Sequence, residues 1–224
     1  MAKTPKSGTS RGSADASMKQ PKVKYPRRTE RRRRTRAAIL KAAGDHFRKE
    51  GYAATTMQAI ADSADVHVTT LFMHFKSKAE LALALVQDRT DALRKRAFDA
   101  RGSTGFFAFF RAEALDRAKT LTEAKRPEAT FWSALQSDAD LAFASATFNT
   151  DQAEIFGRFV AAEFGRHREK DYRPDLVVRL LLAATDLAYQ KWISSDRQSD
   201  PVKEISDSLD AAEVAARQML GLKG

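Results

Sequence analysis

The run His67-Val68-Thr69-Thr70-Leu71-Phe72-Met73-His74 could do chemistry on a nucleic acid. If it is helical with Leu71 turned inward, then His67, Val68, Thr69, Thr70, Phe72 and His74 lie largely outward. These side chains are uncharged at neutral pH, and most are short, hydrogen-bonding or methyl-bearing. Hydroxyl and imidazole groups can meet donors and acceptors on base edges, and methyl groups can meet thymine methyls, so such a face suits a major groove. Upstream, Arg31, Arg32, Arg33, Arg34 and Arg36 form a guanidinium run of the kind that contacts phosphates.

The elements that position these residues follow from periodicity. A helix is expected over 29–50, with Ile39, Leu40, Ala43 and Phe47 as its apolar stripe at spacings of three and four. A short helix at 57–63, capped by Thr55 or Thr56, points Ile60 and Ala61 inward. A second short helix covers 67–74, and Ser77 with Glu80 reads as a capping box opening a longer helix, 78–99. Phe47, Ile60, Ala61, Val66, Leu71 and Phe75 then close a small three-helix core. Two short helices a few residues apart, set on a longer first helix, make a helix-turn-helix.

Several residues in order also carry a family resemblance: Ile39, Ala42-Ala43, Phe47, Gly51-Tyr52, Thr55-Thr56, Ile60-Ala61, Ala64, Val66, Thr70-Leu71, His74-Phe75 and Ser77-Lys78. Over about 35–86 the chain resembles the TetR-type transcriptional regulators. The resemblance implies an all-α homodimer with an N-terminal DNA-binding domain and a C-terminal ligand-binding and dimerisation domain. Ligand would spread or tilt the two heads away from a palindromic operator. It also implies that Thr56 caps the second helix or meets a phosphate. Val68, Thr69 and Thr70 fall in the base- and phosphate-contacting stretch, and His74 and Lys78 match phosphate-contacting positions. Three features depart from the pattern. Asp65 and Thr69 stand where glycine is frequent, Phe72 and Met73 replace two phenols, and Val68 replaces a frequent lysine. Asp tolerates the left-handed conformation that the turn needs.

The charge is unevenly placed. The 224 residues carry a formal +10, yet residues 1–36 hold 13 Lys+Arg against Asp15 and Glu30, whereas the other 188 hold 26 against 27. Residues 1–28 combine Lys, Ser, Thr, Pro and Gly with few apolar side chains, and are expected to be a disordered basic tail that adds non-specific affinity. Cysteine is absent and histidine occurs four times. That excludes disulfides, thiolate metal sites and cysteine nucleophiles, and argues against any metal or cofactor. No glycine-rich phosphate loop, GxSxG or paired-histidine motif is present, so an enzyme is not expected. No transmembrane run or signal peptide is seen, which fits a cytoplasmic protein without a membrane partner.

The expected organisation is a tail (1–28), a helix-turn-helix domain (29–86) and a second helical domain (87–224), with helices near 104–124, 127–137, 139–167, 174–194 and 201–221. Residues 100–192 hold ten of the 14 Phe and both Trp. Some must be core; as a group they suit a cavity for a hydrophobic or amphipathic effector. Its candidate lining is Phe106, Phe110, Phe131, Trp132, Gln136, Phe148, Gln152, Phe156 and Tyr189. A basic run, Arg158, Arg166, His167, Arg168, Lys170 and Arg173, could meet an acidic headgroup or be a solvated helix end. Leu180 and Leu187 on one helix, and Ile205, Leu209, Ala212 and Met219 on the next, are candidates for a four-helix dimer seam, or they close the subunit's own core. The expected function is a ligand-released repressor on a palindromic operator. The alternative is a tail-driven binder of nucleic acid or anionic surfaces without sequence preference.

Overall fold

The computed structural model describes residues 26–122, 139–195 and 198–222. The architecture is all-α. The helices are α1 (Pro26–Lys49), α2 (Met57–Ser63), α3 (Val68–His74), α4 (Lys78–Ala100), α5 (Phe106–Thr122), α6 (Ala142–Glu163), α7 (Arg173–Ser194) and α8 (Pro201–Met219), with a 3-10 turn at Ala139–Leu141 before α6. Among the described residues there is no strand. None of their helices is long and apolar enough to cross a membrane.

The head is built as the apolar spacing demands. Ile39, Ala43, Phe47, Ile60, Ala61 and Leu71 are sealed from solvent, and Phe75 almost so. Val66 and Val68 pack partly buried against them. Val68 therefore faces inward more than the sequence suggests. Each sealed phenylalanine contributes roughly 1.5–3 kcal/mol through burial. Helix α1 begins at Pro26, three residues before the expected start at Thr29. Proline is at ease in the first turn of a helix. Glu30 then braces the next turn by accepting from Arg33 Nε at 2.9 Å and Arg34 Nε at 3.0 Å. The turn between α2 and α3 holds Asp65 at φ 52°, so aspartate takes the left-handed position.

The capping box is half as expected. Ser77 accepts from the Glu80 amide at 3.1 Å, but Glu80 returns its carboxylate to the Lys76 amide, one residue earlier than the motif prescribes, at 2.6 Å. The expected single helix over 139–167 is shorter, because Gly165 (φ 59°) ends α6. The Arg166 amide then donates to the Ala161 carbonyl at 2.9 Å, a bond that reaches back over the helix end as in a Schellman cap.

Two cores result, and two helices serve both. In α4, Leu81, Ala82, Ala84 and Val86 belong to the head core, while Leu93 and Ala97 belong to the second. In α6, Ala144 and Phe148 join the head core, together with Leu141 just before the helix, and Ile155, Phe156, Phe159 and Val160 join the second. The second core is centred on rings. Phe106 stands 5.9 Å from Phe110 and 5.8 Å from Phe159, and Phe110 stands 4.9 Å from Phe156, all tilted or edge-on as aromatic quadrupoles prefer. Arg111 of α5 ties this core to α8 through Asp210 at 2.6 Å and Glu213 at 3.1 Å.

Candidate nucleic-acid interface and ligand cavity

Two short caps fix the outward face of the head. Thr56 Oγ1 accepts from the Ala59 amide at 3.1 Å and starts α2. His67 starts α3: its Nδ1 accepts from the Thr69 amide at 3.3 Å and lies 2.8 Å from Thr69 Oγ1. With Nδ1 accepting, the imidazole proton sits on Nε2, which points a donor outward. Thr69, Phe72 and Met73 are exposed, and Thr70 and His74 half-buried. Lys76 Nζ donates to the Phe72 carbonyl at 3.2 Å, setting a cation at the α3 C-terminus, where the helix dipole favours it.

The arginine run divides. Arg33 and Arg34 are held on Glu30, whose carboxyl their hydrogen bonds pull down to about 2. Arg28, Arg31 and Arg32 instead form one wall of a surface groove whose other wall is His67, Thr70, Met73 and His74. The cation-free face of α3 therefore gains positive charge from the start of α1. His74 is held below its ordinary value, first by burial and then by the charges of Arg32 and Arg36, so it stays neutral at pH 7. Arg36 stacks over the Phe75 ring, 5.0 Å from its centroid.

Lys78 departs from expectation. Its ammonium donates to the carbonyls of Tyr52 at 2.7 Å, Thr55 at 3.1 Å and Ala53 at 3.2 Å, and lies 4.4 Å from the Tyr52 ring centroid. An ammonium has three hydrogens, and all three are used on the α1–α2 loop. It is a brace of the head, not a cation offered to solvent.

In the second domain a cavity of about 40 Å³ lies where α4, α5, α6, α7 and α8 converge. Five expected residues line it: Phe110, Phe148, Gln152, Phe156 and Tyr189. Phe106 does not, because it is fully sealed among other rings. Phe131, Trp132 and Gln136, with the expected helix at 127–137, lie outside the described residues, as do residues 1–25. The lining also holds Arg89, Arg96, Glu113 and Arg117, which sequence reading missed. The signal was present: Arg89, Leu93 and Arg96 recur at helical spacing on one α4 face, and Phe110, Glu113, Ala114 and Arg117 on one α5 face. Charges sharing a stripe with core residues mark a polar lining.

Arg96 grips Glu113 with two parallel bonds, both 2.7 Å. Arg89 is pushed down to about 10, chiefly by burial and next by the charge of Arg117, and remains cationic at pH 7. Burial raises the Asp186 carboxyl, against the opposing pull of Arg117. The basic run at the end of α6 is largely neutralised. Arg158 pairs with Glu154, Arg166 and Arg173 with Asp171, and Arg168 with both Glu154 and Asp175.

The expected dimer seam divides as well. Ile205, Leu209 and Ala212 are buried inside the subunit, because α8 packs on both α7 and α5, and Ile205 reaches the cavity wall. Leu180 and Met219 pack partly buried against the same core. Leu187 is 66% exposed, and Leu176 of α7 and Val214 of α8 are exposed as well.

Comparison with known proteins finds a family likeness over residues 39–85. Residues 39–85 match the model described as "Bacterial regulatory proteins, tetR family". The HTH-type transcriptional regulator TcmR of Streptomyces glaucescens is 45% identical over 51 residues, 23% of each chain. The matched stretch thus spans about a quarter of that relative's length. Solved structures extend the likeness of fold over most of the chain. SmeT, the repressor of the Stenotrophomonas maltophilia multidrug efflux pump SmeDEF, superposes with a TM-score of 0.59 at 22% identity, over 80% of this chain and 89% of that one. The transcriptional regulator FadR from Bacillus subtilis, solved with stearoyl-CoA, gives 0.57 at 15% identity, over 79% and 96%.

Proposed function

We propose, from the match of residues 39–85 to the tetR family of bacterial regulatory proteins, that the chain is a transcriptional repressor released by a small effector. It binds a palindromic operator as a homodimer, with α3 of each subunit in a major groove. The observation that carries this reading is the groove in which an outward, cation-free α3 faces Arg31 and Arg32. Thr69, Thr70 and the Nε2 donor of His67 meet base edges, and Phe72 meets a thymine methyl. Arg31 and Arg32 take phosphates, with Thr56 and His74 as neutral phosphate partners.

Two copies pair through the outer faces of α7 and α8, where Leu176, Leu187 and Val214 are exposed. The effector enters the aromatic cavity. At about 40 Å³ the space is water-sized, so any larger ligand must widen it. One wall is α4, whose first half is built into the head core, and another is Phe148, which belongs to that core and also touches the cavity. Widening therefore moves the head, and the two heads of a dimer lose their spacing on the operator.

The test is selection of bound sequences from random duplexes, followed by footprinting. The expected result is a short palindrome, with Thr70→Ala weakening it by roughly 1–3 kcal/mol over non-specific DNA. Equal binding of all sequences at moderate salt would instead favour a tail-driven, sequence-blind binder.

A further inference from the structure

The outward side of α3 uses much of its hydrogen-bonding capacity on itself. Thr69 Oγ1 lies 2.8 Å from His67 Nδ1, which also accepts from the Thr69 amide at 3.3 Å. With Nδ1 as acceptor, the Thr69 hydroxyl gives its single proton to the imidazole and has none left for a base. Its Cγ2 methyl remains. Lys76 directs its ammonium to the Phe72 carbonyl, 3.2 Å away. His67 and Thr70 line the groove that Arg28, Arg31 and Arg32 wall. Thr69, Phe72 and Met73, at spacings of three and four, share the neighbouring face of the helix. Phe72 is 42% exposed and Met73 66%, so two large apolar side chains stand in water on a helix without lysine or arginine. Such side chains side by side mark a contact with something apolar. Bordered by three arginines, they suit an apolar group carried on a polyanion. The base edges of a DNA major groove offer one: the C5 methyl of thymine, and of cytosine once it is methylated.

We propose that α3 reads its operator chiefly through C5 methyl groups, with the Thr69 methyl, the Phe72 ring and the Met73 side chain as the readers. This rests on α3 being the major-groove element of the proposed function. It goes beyond that reading in its consequence. A methyl reader accepts thymine and 5-methylcytosine alike and disfavours uracil and plain cytosine alike, so methylation of cytosine in a half-site changes the affinity of this protein for DNA.

Fluorescence anisotropy of the full chain on the selected palindrome tests it. At each thymine in turn, in both half-sites, the T·A pair is replaced by U·A, which loses only the methyl, by C·G, and by 5-methylcytosine·G, which restores the methyl on a different hydrogen-bonding pattern. At one or more positions U·A is expected to bind about fourfold more weakly per methyl, and so about fifteenfold for the symmetric pair. At the same positions 5-methylcytosine·G is expected to bind at least about fourfold more tightly than C·G. Thr69→Ser keeps the hydroxyl and loses the methyl, and Phe72→Ala and Met73→Ala remove the other two apolar groups. Each is expected to bring T·A and U·A within about twofold at the position it reads. Each ratio compares two duplexes on one protein preparation, so a partly unfolded variant cannot imitate the effect. If U·A binds like T·A at every position, or 5-methylcytosine·G no more tightly than C·G, the methyl is not read; the inference is overturned and the placing of α3 on a palindrome stands. If all three variants keep every ratio of the parent protein, these residues are not the readers and the inference is likewise overturned. If selection yields no palindrome, the inference and the reading beneath it both fall.

Discussion

Two cations in the head carry the same formal charge and have opposite roles. Lys78 gives all three ammonium hydrogens to the carbonyls of Tyr52, Ala53 and Thr55, whereas Arg32 lines the groove beside α3. Their replacement separates stability from DNA affinity. Lys78→Ala leaves carbonyls without their partner and is expected to destabilise the head by about 1–3 kcal/mol. It should leave the slope of log affinity against log salt nearly unchanged. Arg32→Ala is expected to leave the melting temperature within about 1 °C while lowering that slope by about one, the effect of losing one phosphate contact. Thermal melts and salt titrations of both variants on the same duplex check the pair. A drop in slope for Lys78→Ala as large as that for Arg32→Ala would mean that the lysine leaves its loop on binding DNA.

At the scale of elements, α6 depends on one missing side chain. Gly157 is buried in the middle of the helix, where Ala would ordinarily be favoured by about 1 kcal/mol. A Cβ there would come 2.7 Å from Asp175 Oδ1 and 3.1 Å from Arg168 Cζ. Those two groups form the ion pair that fastens the loop after α6 to the start of α7. Gly157→Ala is therefore expected to destabilise by about 1–3 kcal/mol, against its helix propensity. Denaturant unfolding measures it, and a stabilised variant would show that the ion pair gives way without cost. The helices themselves were legible in the sequence to within a few residues, because their stripes and caps are local. The cavity lining was only half legible. Phe110, Phe148 and Phe156 announce themselves as aromatics, but nothing local separates Phe110, on the cavity wall, from Phe106, sealed among other rings. That distinction is made by which helices meet, and so is the inward turn of Lys78, whose partners lie more than twenty residues away in the chain.

For the whole molecule, the same limit explains the dimer seam. Ile205, Leu209 and Ala212 have the spacing of an interface and are used inside the subunit, since a stripe shows that a face must be covered and not by what. Apolar surface is left over on α7 and α8 at Leu176, Leu187 and Val214. Leu187→Glu, at a site already 66% exposed, is expected to leave folding intact and to convert a dimer to a monomer in sedimentation at micromolar concentration. Unchanged mass would move the seam elsewhere.

The sharing of α4 and α6 between two cores bears on how such a protein can be cut and recombined. The head core is completed by Leu141, Ala144 and Phe148, which arrive some seventy residues after α3 ends. A fragment stopping within α4 would leave the head core without those three side chains. The helix-turn-helix portion is thus not a detachable cassette. A chimera that borrows it must also borrow the first turns of α6 or redesign the underside of α4, and melting of either core should carry the other with it as a single transition.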